Sequence, residues 1–167
     1  MLTTIGIEAR KSKRVQKALS TVVKGRESQD EHWKEVTVIK SVSRTGAGFT
    51  LERQCQVGQL LSLMIPLPNN LRCYDEEKEL YRVWGLIQHC SPISDENESV
   101  YHVGVAFIGK HAPESYRINP QQSYKICGMN DEGLWKIAEA ERPFVHRKYP
   151  RYWASIEVSL SIYEMEN

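Results

Sequence analysis

The sequence predicts a mainly β protein: a small closed barrel of six antiparallel strands, followed by a C-terminal helix and a terminal strand. Three observations carry this expectation. Six short stretches rich in Val, Ile, Leu and aromatic residues fall between residues 18 and 108. Turn signals separate them, at Ser43-Arg44-Thr45-Gly46, Val57-Gly58, residues 66–70 and residues 94–97. Within several stretches apolar and polar residues alternate with a period of two, the pattern of a strand with one buried face. Closely spaced, half-apolar strands of this kind suit a small antiparallel barrel.

The first strand is expected over residues 18–23 and the second over 34–42, which is dense in Val, Ile and Thr. The third, 46–51, sets Phe49 and Leu51 on one face, and the fourth, 59–65, does the same with Leu61, Leu63 and Ile65. The fifth and sixth span 81–88 and 101–108. In the sixth, Val103, Val105 and Phe107 alternate with Gly104 and Ala106, and small residues at alternate positions are expected in the tight interior of a barrel. Residues 111–128 read as a polar connector. Asn130-Asp131-Glu132 then supplies an N-cap and an acidic first turn for a helix with Leu134, Ile137 and Ala138 on one face, ended by Pro143. Near the C-terminus Ala154, Ile156, Val158, Leu160 and Ile162 alternate with polar residues. This half-buried strand needs a partner: the barrel edge, a second copy, or a further domain. The chain thus divides into residues 1–120, an arm and barrel, and residues 121–167, a connector, helix and strand.

At 167 residues a chain buries roughly 70% of its unfolded surface and needs neither metal nor disulfide to be stable. With 41% hydrophobic residues and 22 basic against 21 acidic, it is not a disordered charged tail. No apolar run approaches the ~18 residues of a membrane span, and the N-terminus lacks the basic and apolar regions of a secretory signal. Cys55, Cys73, Cys90 and Cys127 form no CxxC pair, so free buried thiols in a reducing cytosol are expected. The charge is unevenly spread. Seven basic residues and no acidic one lie between Ala9 and Arg26, making this segment a local attractor for anions.

Two motifs carry chemistry. Arg10 and Arg14 project as neighbours, and guanidinium forks meet phosphate or the O6/N7 edge of guanine bidentately. In Ser41-Val42-Ser43-Arg44-Thr45-Gly46, short hydroxyls at a strand turn can donate and accept at a ligand edge, and Gly46 permits a positive φ and close backbone approach. Taken singly, a solvated basic face accounts for the arginines and an ordinary hairpin for the turn. An echo of the first motif follows at an offset of 137 residues: Arg147 and Arg151 precede Ile156, Val158 and Leu160 as Arg10 and Arg14 precede Leu19, Thr21 and Val23.

The whole ordered set is more specific. RxxxR, a strand, an SxSxxG turn about 27 residues on, then Gly46-Ala47-Gly48-Phe49, Val57-Gly58-Gln59 and Val103-Gly104-Val105-Ala106-Phe107-Ile108 resembles a PilZ domain over roughly residues 8 to 120. The resemblance implies a six-stranded barrel in the bacterial cytoplasm that binds the second messenger cyclic di-GMP, often as an intercalated dimer of the nucleotide, and catalyses nothing. It implies that Arg10 and Arg14 meet guanine and phosphate, and that Ser43 and Gly46 belong to the turn that meets the other guanine. Ser41 stands where the family has Asp or Asn. A hydroxyl reaches less far toward guanine N1–H and N2–H, and losing one charge-assisted contact costs on the order of 1.5–3 kcal/mol, about tenfold or more in affinity. Arg147 and Arg151 resemble the opening of a second such domain and form a second candidate arginine pair.

The partners expected are cyclic di-GMP, an output protein or following domain, and a second copy through the terminal strand, with no cofactor and no metal. The chief rival is a degenerate barrel of the same family, kept as a protein-interaction module without nucleotide; Ser41 is its support. A nucleic-acid binder with a basic arm is opposed by the near-neutral total charge. An enzyme lacks its acid–base pair. Asp75, Glu76 and Glu77 are consecutive, and His89, Cys90 and His102 lie on strands with no third ligand or partner at useful spacing.

Overall fold

A computed structural model describes residues 19–93 and 99–141 of the chain. Eight strands form: β1 (Leu19–Arg26), β2 (His32–Val42), β3 (Gly46–Leu51), β4 (Leu60–Ile65), β5 (Tyr81–Ile93), β6 (Val100–Gly109), β7 (Ser123–Met129) and β8 (Trp135–Ala140). A 3-10 turn at Asn69–Leu71 lies between β4 and β5, and a five-residue helix, α1 (Glu114–Ile118), between β6 and β7. The first six strands close into a barrel in the order β1-β2-β3-β6-β5-β4, with every neighbouring pair antiparallel. The six strands expected from alternation are all present, and β3 has the expected bounds.

The inward positions of each strand meet in one core. Val23, Ile39, Phe49, Leu63, Ile65, Tyr81, Ile87, Val103 and Phe107 are all at most marginally exposed and belong to it. β-branched and aromatic side chains fill a barrel interior well because they pack across strands with few rotamers to lose. The small residues of the sixth strand are not in that interior. Val103, Val105 and Phe107 point in, so Gly104 and Ala106 lie on the outer surface, opposite Gly48 and Gly46 of β3. The expectation that they thin the interior is corrected: they flatten the outside.

The helix expected from Asn130 is a hairpin turn instead. Asn130 Oδ1 accepts from the backbone N–H of Glu132 (2.9 Å) and of Leu134 (3.0 Å), and Asn130 N–H donates to Leu134 O. An Asn side chain that bonds its own chain two residues on competes with helix at its N-terminus, and Gly133, at φ +88, completes the turn. β7 and β8 then pair from Ser123↔Ala140 to Met129↔Trp135. The connector expected over 111–128 holds both α1 and β7. Among the described residues beyond 120 there is thus no helix, and the short α1 lies just before that boundary.

The hairpin packs on the barrel. Tyr124 and Tyr116 of α1 join Leu60 and Leu86 in a second, smaller core with Trp84, whose ring meets Tyr116 edge-on at 5.0 Å. Tyr124 N–H donates to Gly58 O (2.8 Å), its hydroxyl lies 2.6 Å from Ser115 Oγ, and Leu134 at the turn reaches the main core. The terminal strand expected at 154–162 lies outside the described residues. No described helix is long and apolar enough to cross a membrane.

Candidate functional site

A cavity of about 440 Å3 opens on the outer face of β2, β3, β6 and β5, with the β7–β8 hairpin along one side. Its size falls in the ~300–1,000 Å3 range of small-molecule sites. The floor is a rung of paired residues, Ser41, Gly48, Gly104 and His89, taken across the four strands. Gly46 and Ala106 pair on the next rung in the same surface. Two β-bulges produce this surface. Pairing shifts between Ile39 and Ser41 in β2 and between Ile87 and His89 in β5. Ile39 and Ile87 are fully buried in the core. Were Lys40 and Gln88 ordinary strand residues rather than bulge residues, strict alternation would send Ser41 and His89 inward as well. A bulge reverses that parity and re-aims the following side chain.

Ser41, Ser43 and Gly46, the turn positions picked from the sequence, all line this cavity. They do different work. Among the described residues no group pairs with the Ser41 hydroxyl, which stands 2.9 Å from the point where Gly48 would carry a Cβ. Ser43 is 4% exposed; its Oγ accepts from Thr45 N–H (3.2 Å) and meets Thr45 Oγ1 (3.3 Å), while its N–H donates to Gly46 O (2.9 Å). Its hydroxyl thus holds the turn as well as facing the cavity. Gly46 does not have a positive φ, against expectation. It is glycine because β3 runs close to β6: a Cβ there would lie 2.5 Å from Val105 O.

Arg10, Arg14, Arg147 and Arg151 lie outside the described residues. The described lining carries no Lys, Arg, Asp or Glu, so cations for an anionic ligand must come from elsewhere.

Sequence reasoning missed a histidine pair. His89 on β5 and His102 on β6 stack with ring centroids 4.9 Å apart, and His89 Nε2 lies 2.8 Å from His102 Nδ1. The expectation that they have no partner at useful spacing is corrected. Thirteen positions separate them, a distance that only the strand register closes. His102 Nε2 sits 3.5 Å from the same Gly48 Cβ point that Ser41 Oγ approaches. Trp135 and Met129 complete the wall opposite, from the hairpin; the misread helix hid them. No third potential metal ligand joins the pair among the described residues.

The cysteines are free thiols, three half-buried and Cys127 exposed, where burial of all four was expected. Burial, and then the neighbouring Cys90, push the Cys55 thiol up to about 12, so it stays protonated at neutral pH.

A small closed barrel with a glycine-floored cleft on its outer wall defines a ligand-binding β domain. The PilZ domain profile matches residues 8–118, and the chain belongs to the PilZ domain family. Among solved structures it is similar to the inhibitor of motility MotI/DgrA of Bacillus subtilis, at 16% identity over 65% of this chain and 46% of that one, TM-score 0.41. It is similar to the MrkH–c-di-GMP complex of K. pneumonia, at 16% identity over 65% and 48%, TM-score 0.42. It is also similar to PlzA of Borreliella burgdorferi in complex with c-di-GMP, at 14% identity over 70% and 51%, TM-score 0.40. The chain spans about half the length of these structures. No curated protein matches it.

Proposed function

We propose that this protein is a cyclic di-GMP receptor whose work is binding, with no bond made or broken. Membership of the PilZ family supports the ligand. The observation that carries the reading is the convergence of Ser41, Ser43 and Gly46 on one cavity with a flat glycine floor. A purine ring can lie against a floor that has no side chains. The hydroxyls and imidazoles at its edges are hydrogen-bonding groups, and Trp135 is an aromatic face on which a second base can stack.

The neutral lining supports a role for the basic arm. Cyclic di-GMP carries two phosphates, and guanidinium forks bind phosphate bidentately. In this reading Arg10 and Arg14 close over the cleft and complete it, with Arg147 and Arg151 as the second candidate pair. Dividing the chain at residue 120 assigns the arm and barrel to one unit. The hairpin that walls the cleft then belongs to the other, so ligand binding would couple the two. That coupling is a route to an output protein or a following domain. A second copy meeting the terminal strand is another. The setting is the bacterial cytoplasm, where this messenger acts.

Titration calorimetry with cyclic di-GMP tests the reading. Expected is saturable one-site or two-site heat at micromolar ligand, abolished by Arg10→Ala/Arg14→Ala and reduced less by Arg147→Ala/Arg151→Ala. No heat from the intact protein at several temperatures contradicts it.

A further inference from the structure

Guanine differs from other purines at its N1–H and 2-amino edge, two adjacent donors that require acceptors. The described lining offers no carboxylate and no asparagine for them. It does bring two lone-pair atoms to one place: Ser41 Oγ at 2.9 Å and His102 Nε2 at 3.5 Å from the same point above Gly48. They arrive from different strands, β2 and β6, separated only by the glycine of β3. Were position 48 alanine, its methyl would occupy that point.

The second histidine sets the chemistry of the first. A neutral imidazole carries one N–H and one bare nitrogen, and a hydrogen bond at one nitrogen decides which is which. When His102 Nδ1–H donates to His89 Nε2, at 2.8 Å, His102 Nε2 keeps its lone pair over the floor. His89 is itself held in place. Its ring lies over Gly104, where any Cβ would collide with it. The β5 bulge directs it outward, and stacking against His102 fixes the plane. A glycine, a bulge and a stacked pair thus converge on the orientation of one nitrogen.

We propose that His102, positioned by His89 and acting beside Ser41, reads the N1–H and 2-amino edge of a guanine in this cleft. The inference rests on the receptor reading above and adds to it a specificity-determining pair from β6 and β5, outside the SxSxxG turn. Two short-reach acceptors on neighbouring strands then do what one longer side chain at position 41 would do. Gln88 also lines the cavity, but it is the exposed extra residue of the β5 bulge, and in this account it does not read the base.

The test compares cyclic di-GMP with cyclic di-IMP, which lacks only the two 2-amino groups, by calorimetry on the full chain. Wild type is expected to favour the guanine ligand by about tenfold, the order of one good hydrogen bond to a buried partner. His102→Ala should shrink that ratio at least threefold, and Ser41→Ala/His102→Ala should bring it close to one. His102→Gln restores a neutral acceptor and should keep the ratio, an outcome that a purely structural role for the ring would not produce. Gln88→Ala should leave it unchanged. The inference is overturned if the double variant, folded by its melting curve, keeps the wild-type ratio. It is equally overturned if Gln88→Ala abolishes the ratio, or if wild type binds both ligands alike. Absence of binding to either ligand by wild type is a different result: it removes the receptor reading itself, and this inference with it.

Discussion

Arg72 and His102 are polar side chains against the same barrel, and their surroundings could hardly differ more. Arg72, in the β4–β5 connection, is 4% exposed and among the described residues has no carboxylate partner. Its guanidinium donates instead to four backbone carbonyls: Nε to Leu67 O (2.8 Å), Nη1 to Asp75 O (2.7 Å) and Lys78 O (2.5 Å), and Nη2 to Glu79 O (3.0 Å). It also lies 5.6 Å over the Tyr81 ring. That is a knot: four of the five donors of the fork are committed to holding one loop. His102 has one nitrogen engaged by His89 and the other over an open, glycine-floored cleft. Buried polar groups must be paired, or they cost stability. A polar group held at a cavity by other residues, with an atom left to the cavity, is arranged for something that arrives later. The difference between the two sites separates a device for folding from a device for binding.

Replacing the knot is the strongest way to sharpen this contrast. Arg72→Met removes the buried guanidinium that holds four backbone carbonyls of one loop and should cost about 2–4 kcal/mol, read as a lowered urea midpoint. Cyclic di-GMP affinity of the fraction that remains folded should hardly change. Gly46→Ala acts on both properties. Its Cβ must displace the Val105 carbonyl, 2.5 Å away, and overpacking of this sort costs about 1–3 kcal/mol; ligand heat should vanish with it, because the floor is bent. Ser41→Asp should tighten cyclic di-GMP about tenfold, through a charge-assisted acceptor worth ~1.5–3 kcal/mol, with little change in melting temperature. Gly104→Ala should drive the His89 ring from its seat and weaken binding several-fold, while leaving the barrel folded.

The smallest effect expected belongs to the knot's rim. Asp75 sits at φ 50, its backbone held by Arg72 and its carboxylate 2.8 Å from Lys110 Nζ. That hydrogen bond from Lys110 holds the Asp75 carboxyl below its ordinary range. A carboxylate whose value is depressed by folding stabilises the protein above its unfolded value, about 3.9, and loses that contribution as pH falls through the folded value. Lys110→Gln should therefore lower the melting temperature slightly at neutral pH. The gap from wild type should close in acid, when Asp75 is protonated in both.

Much of the barrel was legible because its core follows period-two alternation: Phe49 with Leu51, and Leu61 with Leu63 and Ile65, were each read on one face and are buried together in the core, whereas the small residues of the sixth strand were read on the wrong side. The cleft was legible only at its turn. Ser41, Ser43 and Gly46 stand close together in the chain, so their grouping is local. His89 and His102 meet through register, and His89 faces outward through a bulge; neither is written in spacing along one strand. The same bulge logic hides Ser41's parity with Ile39. The hairpin wall was lost for a different reason. Asn130 with acidic residues after it satisfies a helix N-terminus and a turn equally, and the side-chain bonds to Glu132 and Leu134 N–H decide for the turn only once Gly133 has taken its positive φ.

The central claim is that a guanine dinucleotide lies on the outer floor made by β3 and β6. Backbone amide shifts in solution test it most directly. On titration with cyclic di-GMP, the resonances of Gly46, Gly48 and Gly104 should move together and saturate with the calorimetric affinity, while those of residues 67–79 around Arg72 stay in place. Saturable binding that leaves the three glycine amides unmoved, or that shifts the Arg72 loop instead, would contradict the account.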